Sequence, residues 1–442
     1  MRLPTLRRTG MVATVGSNSA SLIATTAITS MLGAAYWWLA ARRFPAPAVG
    51  GAGAAVSAMT LLGVVATVGL TTAIIPKLQD RSAGRAAALI ATALTLVGAL
   101  GVLLGAIWQA VAGHVGADLA LSGLGPATIL LFGAGVGATA VTQVLDQALI
   151  GLLRSDLQLL RNVVFAASKL LAVALVATLP ESARGAGAIY ATWLAGQVAS
   201  LLLLAAVVLL TVGASAFVAP RLSSLRGVRV SAVSHHVFNL VLSAPSWILP
   251  LIATTAISAT ADAYFYTAWT MAGLVFAGPM ALTMVLFAFG ERRAGLRGPL
   301  ILTLVLSLIW SLACLGGCAL FASPVLHLYG SAYGREATPV LMVLCLAVFA
   351  QVVKLHYIAV VRLRGRLTIP ILLFLGFAGL ELALAVLGAE RDGIRGLAEG
   401  WVVAISVEAL AVAAPVVGAL LGRAGSPAGQ ELAVRGADPE PL

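Results

Sequence analysis

The sequence predicts an all-α polytopic membrane protein, with twelve transmembrane helices in two six-helix lobes related by a pseudo-twofold axis along the membrane normal. Three observations predict it. Of 442 residues, 60% are hydrophobic and only 10% charged, with a mean hydropathy of +1.03, where a soluble domain carries roughly 25% charged residues. Charges, histidines and Pro/Gly clusters cut the chain into apolar runs of the length, about 20 residues, that a helix needs to cross about 30 Å of hydrocarbon. The third is an internal echo: QVLDQALIGLLRSDLQLLRN from Gln143 and QVVKLHYIAVVRLRGRLTIP from Gln351, offset by 208, share the glutamine and end their apolar runs at Arg154 and Arg362.

The runs fall at 17–40, 48–75, 86–111, 126–153, 162–179, 188–211, 237–259, 266–290, 299–321, 339–361, 367–388 and 397–421. The first is too long for a cleavable signal peptide and reads as helix one. An uncharged segment, 185–220, followed by the polar stretch 221–236, separates two sets of six. The division is therefore a first lobe at 1–212, a cytoplasmic linker at 213–236, a second lobe at 237–422 and a Gly-, Pro- and Glu-rich tail at 423–442, expected to be disordered. Six is an even number, so the halves enter the membrane in the same direction, as parallel transporter repeats do. FPAPAVGG at Phe44 follows span one as ISATADAY at Ile257 follows span seven.

The net charge of +11 is a matter of topology. With both termini cytoplasmic, 19 of the 27 Lys and Arg residues lie in cytoplasmic segments, six in outer loops and two, Lys169 and Lys354, inside spans. That positive-inside bias excludes nucleic acid as the reason for the basic balance. Arginine outnumbers lysine 24 to 3 and alanine is abundant, the balance of a GC-rich bacterial genome. Tyr36, Trp37, Trp38, Trp108, Trp193, Tyr264, Tyr266 and Trp401 all fall near outer ends and read as an interfacial belt. Cys314, Cys318 and Cys345 lie inside spans and read as small packing groups, with no disulfide, metal site or cofactor.

Enzymatic readings find little to stand on. No outer loop exceeds roughly 20 residues, there is no D-x-D pair for a sugar nucleotide, and none of the three lysines follows a phosphate-cradling glycine run. A membrane glycan polymerase or ligase is thus the least favoured alternative. The segment KLQDRSAGRAAAL, 77–89, is similar to a loop of major-facilitator transporters, but its acid-to-glycine spacing is one residue too long and the long central loop of that class is missing.

Several stretches carry a family likeness: YWWLAARRFPAPAVGGAGAAVSAMTLLGVVATVGL from Tyr36, DQALIGLLRSDLQLLRN from Asp146, FNLVLSAPSWILP from Phe238, ADAYFYTAWTMAGLVFAGPMAL from Ala261 and LYGSAYGREATPVLMVLCLAVFAQ from Leu328. Together they resemble bacterial polysaccharide-biosynthesis flippases of the multidrug/oligosaccharidyl-lipid/polysaccharide exporter superfamily, of the kind that moves O-antigen and exopolysaccharide repeat units. The resemblance implies a V-shaped bundle with a central cavity exposed alternately to the two sides. It implies as cargo an undecaprenyl-diphosphate-linked oligosaccharide whose polyprenyl tail stays in membrane lipid, with polysaccharide-assembly proteins as conceivable partners and a monomer as the working unit. Lipid II flippases place arginines in cavity helices of the first lobe, whereas spans one and two here carry no charge, which speaks against a peptidoglycan precursor. A drug/cation exporter of the same superfamily would share the fold.

Charges inside spans are costly and normally pair, face water or sit near an end. Asp146, eight residues before Arg154, and Lys169, eight after Arg161, would both lie roughly 12 Å in from the cytoplasmic side, so they are expected to form a structural ion pair; lining the cavity, or snorkelling of the lysine, are the alternatives. Lys354 has no carboxylate at its own level and is the leading candidate for attracting a diphosphate, with Arg42 and Arg43 as helpers at the outer exit. Snorkelling to the cytoplasmic face and, last, pairing with Glu381 or Glu408 are the alternatives. Glu381 and Glu408 both fall roughly 20 Å deep and are candidates for coupling to a proton or cation, or for a structural pair. Glu399 reads as solvated, and His235, His236 and His356 as interfacial.

Overall fold

The computed structural model describes residues 28–79, 83–115, 121, 125–225, 230–290, 297–364 and 368–421. The expected tail, and the first part of span one, lie outside them. Helix α1 runs over 28–43. Pro45 then starts α2 (Ala46–Ala66), where a fixed φ and a missing N–H suit a first helical turn. The run expected as one span at 48–75 is broken at Thr67–Gly69, where Val68 and Gly69 take φ of 47° and 80°, and continues as α3 (Leu70–Gln79). The first lobe is completed by α4 (Ala83–Val115), α5 (Pro126–Gly151), α6 (Ser155–Val176) and α7 (Ala186–Val212). In the second lobe, α8 (Val230–Ile252) ends in a π-helical turn (Ala253–Ile257), followed by α9 (Ala259–Gly290), α10 (Arg297–Tyr329), α11 (Ser331–Arg364) and α12 (Thr368–Leu420). Because α8 starts at Val230, the end of the expected linker is helical.

Among the described residues, ten helices are long and apolar enough to cross a membrane. One of them, α12, doubles back at Asp392 and Gly393, where the backbone leaves the helical region, so it supplies two antiparallel arms. With α1, the twelve expected crossings are accounted for. Leu302, Leu306, Ile309, Leu312 and Leu320 stand exposed along α10; such a stripe suits hydrocarbon, not water. The hairpins α1/α2, α4/α5, α6/α7, α8/α9, α10/α11 and the α12 turn share one end of the bundle, here termed the hairpin end.

Each lobe has its own packing, with α4 on α5, α6 on α7, α10 on α11 and α11 on α12. Between lobes the main bearing is α2, which packs on α5 and α7 of its own lobe and on α8 and α9 of the other. Its sequence, APAVGGAGAAVSAMTLLGVVA, is built of small residues, the composition that lets helix backbones approach in lipid. A side chain at Gly50 would collide with the Ala259 carbonyl oxygen, and one at Gly53 would meet the Tyr266 ring at 2.9 Å.

At the hairpin end the seam is closed by rings. Tyr36, Trp37, Phe44, Tyr266, Tyr329 and Tyr333 form one buried cluster, Tyr329 donates its hydroxyl to Ala34 O, and Trp38 donates its indole N–H to Leu328 O. Of the aromatics expected as an interfacial belt, Tyr36, Trp37, Tyr266 and Trp401 are therefore core residues, while Trp38 stays 42% exposed.

The arms of α12 close backbone on backbone. A methyl at Gly400 would run into Leu384 O, whereas nothing lies within 4 Å of one at Gly376. Gly400→Ala should accordingly cost about 1–3 kcal/mol through overpacking and lower the thermal unfolding midpoint in detergent, while Gly376→Ala should leave it unchanged or slightly raised.

Candidate functional site

A cavity of about 350 Å³ lies below the aromatic seal, with walls from both lobes that include Ser57, Thr60, Lys169, Trp193, Trp247 and Trp269. A second, of about 180 Å³, continues into the first lobe between Thr139, Thr142, Arg161, Asn162 and Gln197; Thr60 and Trp193 wall both.

Arg161, Phe165 and Lys169 recur at four-residue spacing on α6 and so share one helix face. Opposite them Gly196 leaves no room for a side chain, since a Cβ there would stand 2.9 Å from Lys169 Cβ and Phe165 O. That lets α7 close onto α6 and lays Trp193 over the lysine. The ammonium of Lys169 is 3.5 Å from the Trp193 ring centre, 4.6 Å from that of Phe165 and 5.0 Å from that of Tyr36. Ring faces attract a cation electrostatically, most strongly where water is excluded, and Lys169 is only 4% exposed. The cage is itself braced, because Tyr36 donates its hydroxyl to Ile189 O at 3.0 Å and meets Thr192 Oγ1 at 2.9 Å.

The pairing expected between Asp146 and Lys169 is not formed. Asp146 instead receives both Arg161 Nε at 2.7 Å and Arg161 Nη2 at 2.6 Å, with Asn162 Nδ2 adding a contact at 3.3 Å. The reason lies in where α6 begins. Its first residue is Ser155, not 162, so Arg161 is already two turns inside and stands level with Asp146 across the short α5/α6 turn. Lys169 lies eight residues further along, roughly 12 Å deeper. Among the described residues it has no carboxylate within ion-pair distance, and it reaches the cavity instead.

Lys354 has the opposite fate. Its ammonium lies 3.2 Å from Glu381 Oε1 and 3.0 Å from Glu408 Oε1, and Trp401 donates its indole N–H to Glu381 Oε2 at 2.7 Å. All three ionisable groups are buried, at 6%, 3% and 0% exposure, between α11 and the two arms of α12. The expectation of an unmatched cation at this depth is corrected: helices that the linear sequence separates converge, and supply two carboxylates. Neither Lys354 nor the glutamates line the two cavities. Arg42 and Arg43 are exposed at the end of α1, on the far side of the aromatic seal.

Three further placements differ from expectation or refine it. His356 is fully buried, bound to Val352 O at 2.7 Å and Thr303 Oγ1 at 3.2 Å, rather than interfacial. Glu399 is exposed and paired with Arg395. Cys345 Sγ comes to 3.1 Å from Cys318 Sγ as a free thiol. Sequence reasoning did not find the ring cage, because its walls come from α1, α6 and α7; the one local signal is the Trp193/Gly196 spacing.

No protein-family model and no curated protein matches the chain. Solved structures do. A multidrug-resistance MATE-family transporter of the MOP superfamily in an inward-facing conformation aligns with a TM-score of 0.72 at 18% identity, over 90% of this chain and 96% of that one. A MOP-superfamily transporter from Pyrococcus furiosus Vc1 (DSM3638), described by a reversed polarity of its binding pocket that suggests a different function, aligns at 0.63 and 17% identity over 92% and 96%. An outward-facing MATE-family transporter aligns at 0.62 and 16% identity over the same shares. The fold is that of the MATE-family transporters.

The buried triad has a measurable signature. Lys354→Met strands two carboxylates and should cost about 3–5 kcal/mol, read as a lower unfolding midpoint of the purified protein. Lys354→Met combined with Glu381→Gln and Glu408→Gln should recover most of that loss. Lost transport with an unchanged midpoint would instead put Lys354 against the cargo.

Proposed function

We propose that this protein is a membrane transporter that flips an undecaprenyl-diphosphate-linked oligosaccharide by alternating access, rocking one six-helix lobe against the other. The observation that carries this reading is the state of Lys169: a cation at the seam cavity, held by rings and, among the described residues, facing no carboxylate. A diphosphate is the complementary guest, since charge-assisted bonds to phosphate oxygens are strong and strengthen further where water is scarce. Among the described residues no Asp or Glu lines either cavity, while Arg161 lines the second. The indole faces of Trp193, Trp247 and Trp269 suit the apolar faces of sugar rings.

A cavity of about 350 Å³ is at the lower end of drug-sized sites, so an oligosaccharide head enters only as the lobes part, with its polyprenyl chain left in lipid. The basic residues gathered at the end opposite the hairpins support cytoplasmic termini in a bacterial plasma membrane. The likeness to transporters supports a role in transport rather than catalysis.

A second reading, a drug or cation exporter, is favoured by the same rings, which would stack on a planar organic cation. Lys169 opposes it, because an incoming cation would displace or repel the ammonium.

Reconstitution decides between them. Proteoliposomes should move a fluorescent short-chain polyprenyl-diphosphate disaccharide, and Lys169→Gln should slow it by about tenfold or more, the equivalent of one charge-assisted hydrogen bond. Movement of ethidium with none of the glycolipid, or a Lys169→Gln variant as fast as the wild type, would overturn the proposal.

A further inference from the structure

Asp262 is the one described acid buried in the seam that no ion pair accounts for. It lies in the first turn of α9 and is 0% exposed, and neither carboxylate oxygen has a hydrogen-bond partner among the described residues. An acid at this position usually caps its helix, but the cap is already taken: Ala261 N–H donates to Ser258 Oγ at 3.1 Å. The Thr254 hydroxyl, on the adjoining π-helical turn, lies beside the carboxyl group, but its proton goes to Pro250 O at 3.0 Å.

The surroundings are as informative as the group. Ala259, four residues earlier in the chain than Ala263, carries the carbonyl against which Gly50 of α2 packs, and Ala263, next to Asp262, belongs to the aromatic seal. Asp262 thus sits where the two lobes press together. Over Ala46–Ala66 and Ala253–Ile257 neither α2 nor the π-helical turn has a titratable side chain. Among the described residues the ionisable groups at the seal are the phenols Tyr36 of α1, Tyr264 and Tyr266 of α9, Tyr329 of α10 and Tyr333 of α11, with Lys169 of α6 against the Tyr36 ring and the exposed His327 in the last turn of α10, its ring bonded to Ser323 O. Tyr266 and Tyr333 lie within its electrostatic reach. At the same end Arg335 and Glu336 of α11 are exposed, and Arg395 and Glu399 of α12 pair with each other. Among the described residues no cation forms an ion pair with the carboxylate.

An ionised carboxylate closed into such a place would forfeit its hydration with nothing in return, whereas a protonated one adds no charge. From this geometry we propose that Asp262 is the proton-binding site that couples proton occupancy to closure of the hairpin-end seam. The proton sits on a carboxylate oxygen while the lobes are shut, and passes to solvent water when they part and the ionised group can be hydrated. The site binds a proton, not cargo. It rests on the alternating-access reading above and supplies it with a coupling ion.

The test needs no cargo. Spin labels at the exposed positions Glu181, in the α6/α7 turn, and Glu390, in the α12 turn, report the seam in nanodiscs, in a background with the three cysteines replaced by alanine. For the wild-type aspartate the ratio of closed to open distances should fall as pH rises from about 5 to 9, by about 5- to 150-fold, the usual range for two coupled sites. Asp262→Asn, close in shape and fixed neutral, should stay closed throughout; Asp262→Glu, which can still titrate, should restore the response. A pH-independent wild type, or an Asp262→Asn variant that opens as the wild type does, would overturn the assignment. In proteoliposomes an imposed pH gradient should accelerate glycolipid movement by the wild type but not by Asp262→Asn. Should neither protein move the glycolipid while the pH-dependent distances persist, the cargo reading fails and the proton site stands.

Discussion

A charge held in hydrocarbon must be answered by an opposite charge, by a ring face, by water or by a proton, because leaving it unanswered costs about 2.5 kcal/mol or more. This protein uses several of these answers, in different places. Arg161 and Asp146 answer each other across the α5/α6 turn, and Lys354 is answered by two glutamates and braced through Trp401. Both arrangements are closed: every charge has its partner within the same lobe, so neither depends on how the lobes sit. Lys169 and Asp262 are different. One is met only by rings and the other forms no ion pair among the described residues, and both lie where one lobe faces the other. Groups whose surroundings change as the lobes move are the ones able to sense that movement.

The seam itself depends on how little α2 carries on its surface. Gly50 and Gly53 leave no gap against Ala259 and Tyr266, so closure there is a contact of backbone and ring rather than a mesh of flexible side chains. Packed surfaces of that kind are shut or apart, with few intermediate positions. The same helix packs on both lobes and is separated from α3 by the break at Thr67–Gly69, where a β-branched valine adopts a positive φ. A break of this type concentrates bending at one level and leaves α3 packed on α5.

The count of crossings, the two halves and the doubling back of α12 were legible in the sequence because hydrophobic length and interrupting charges report them directly. The break in span two was not: hydropathy continues unbroken through TVGLTTAIIP, and Gly69 is the sole local sign. The partner of Asp146 is hidden in the sequence because the polar residues between Ser155 and Arg161 read as loop, although they form the first turns of α6. Lys354 looked unmatched because its acids come from two arms distant in sequence. Rings near the hairpin end looked like a belt because hydropathy places a residue along the membrane normal and says nothing about whether it faces lipid or protein.

The echo between Gln143 and Gln351 can now be given a physical meaning. At its fourth position one lobe has Asp146 and the other Lys354, and in each lobe the helix that follows supplies the counter-charge, Arg161 in the first case and Glu381 in the second. The brace is the same, with its sign reversed. Reversal leaves the stability of a pair little changed, since attraction is indifferent to which partner carries which charge, yet it changes what remains for a guest. In the first lobe the brace uses the acid and one base, so Lys169 is left over at the cavity wall; in the second it uses the only lysine, and two acids hold it in the core. The halves are thus alike in architecture and unlike in electrostatics: one lobe presents a ring-held lysine at the cavity wall, and the other closes its lysine between two acids in its core.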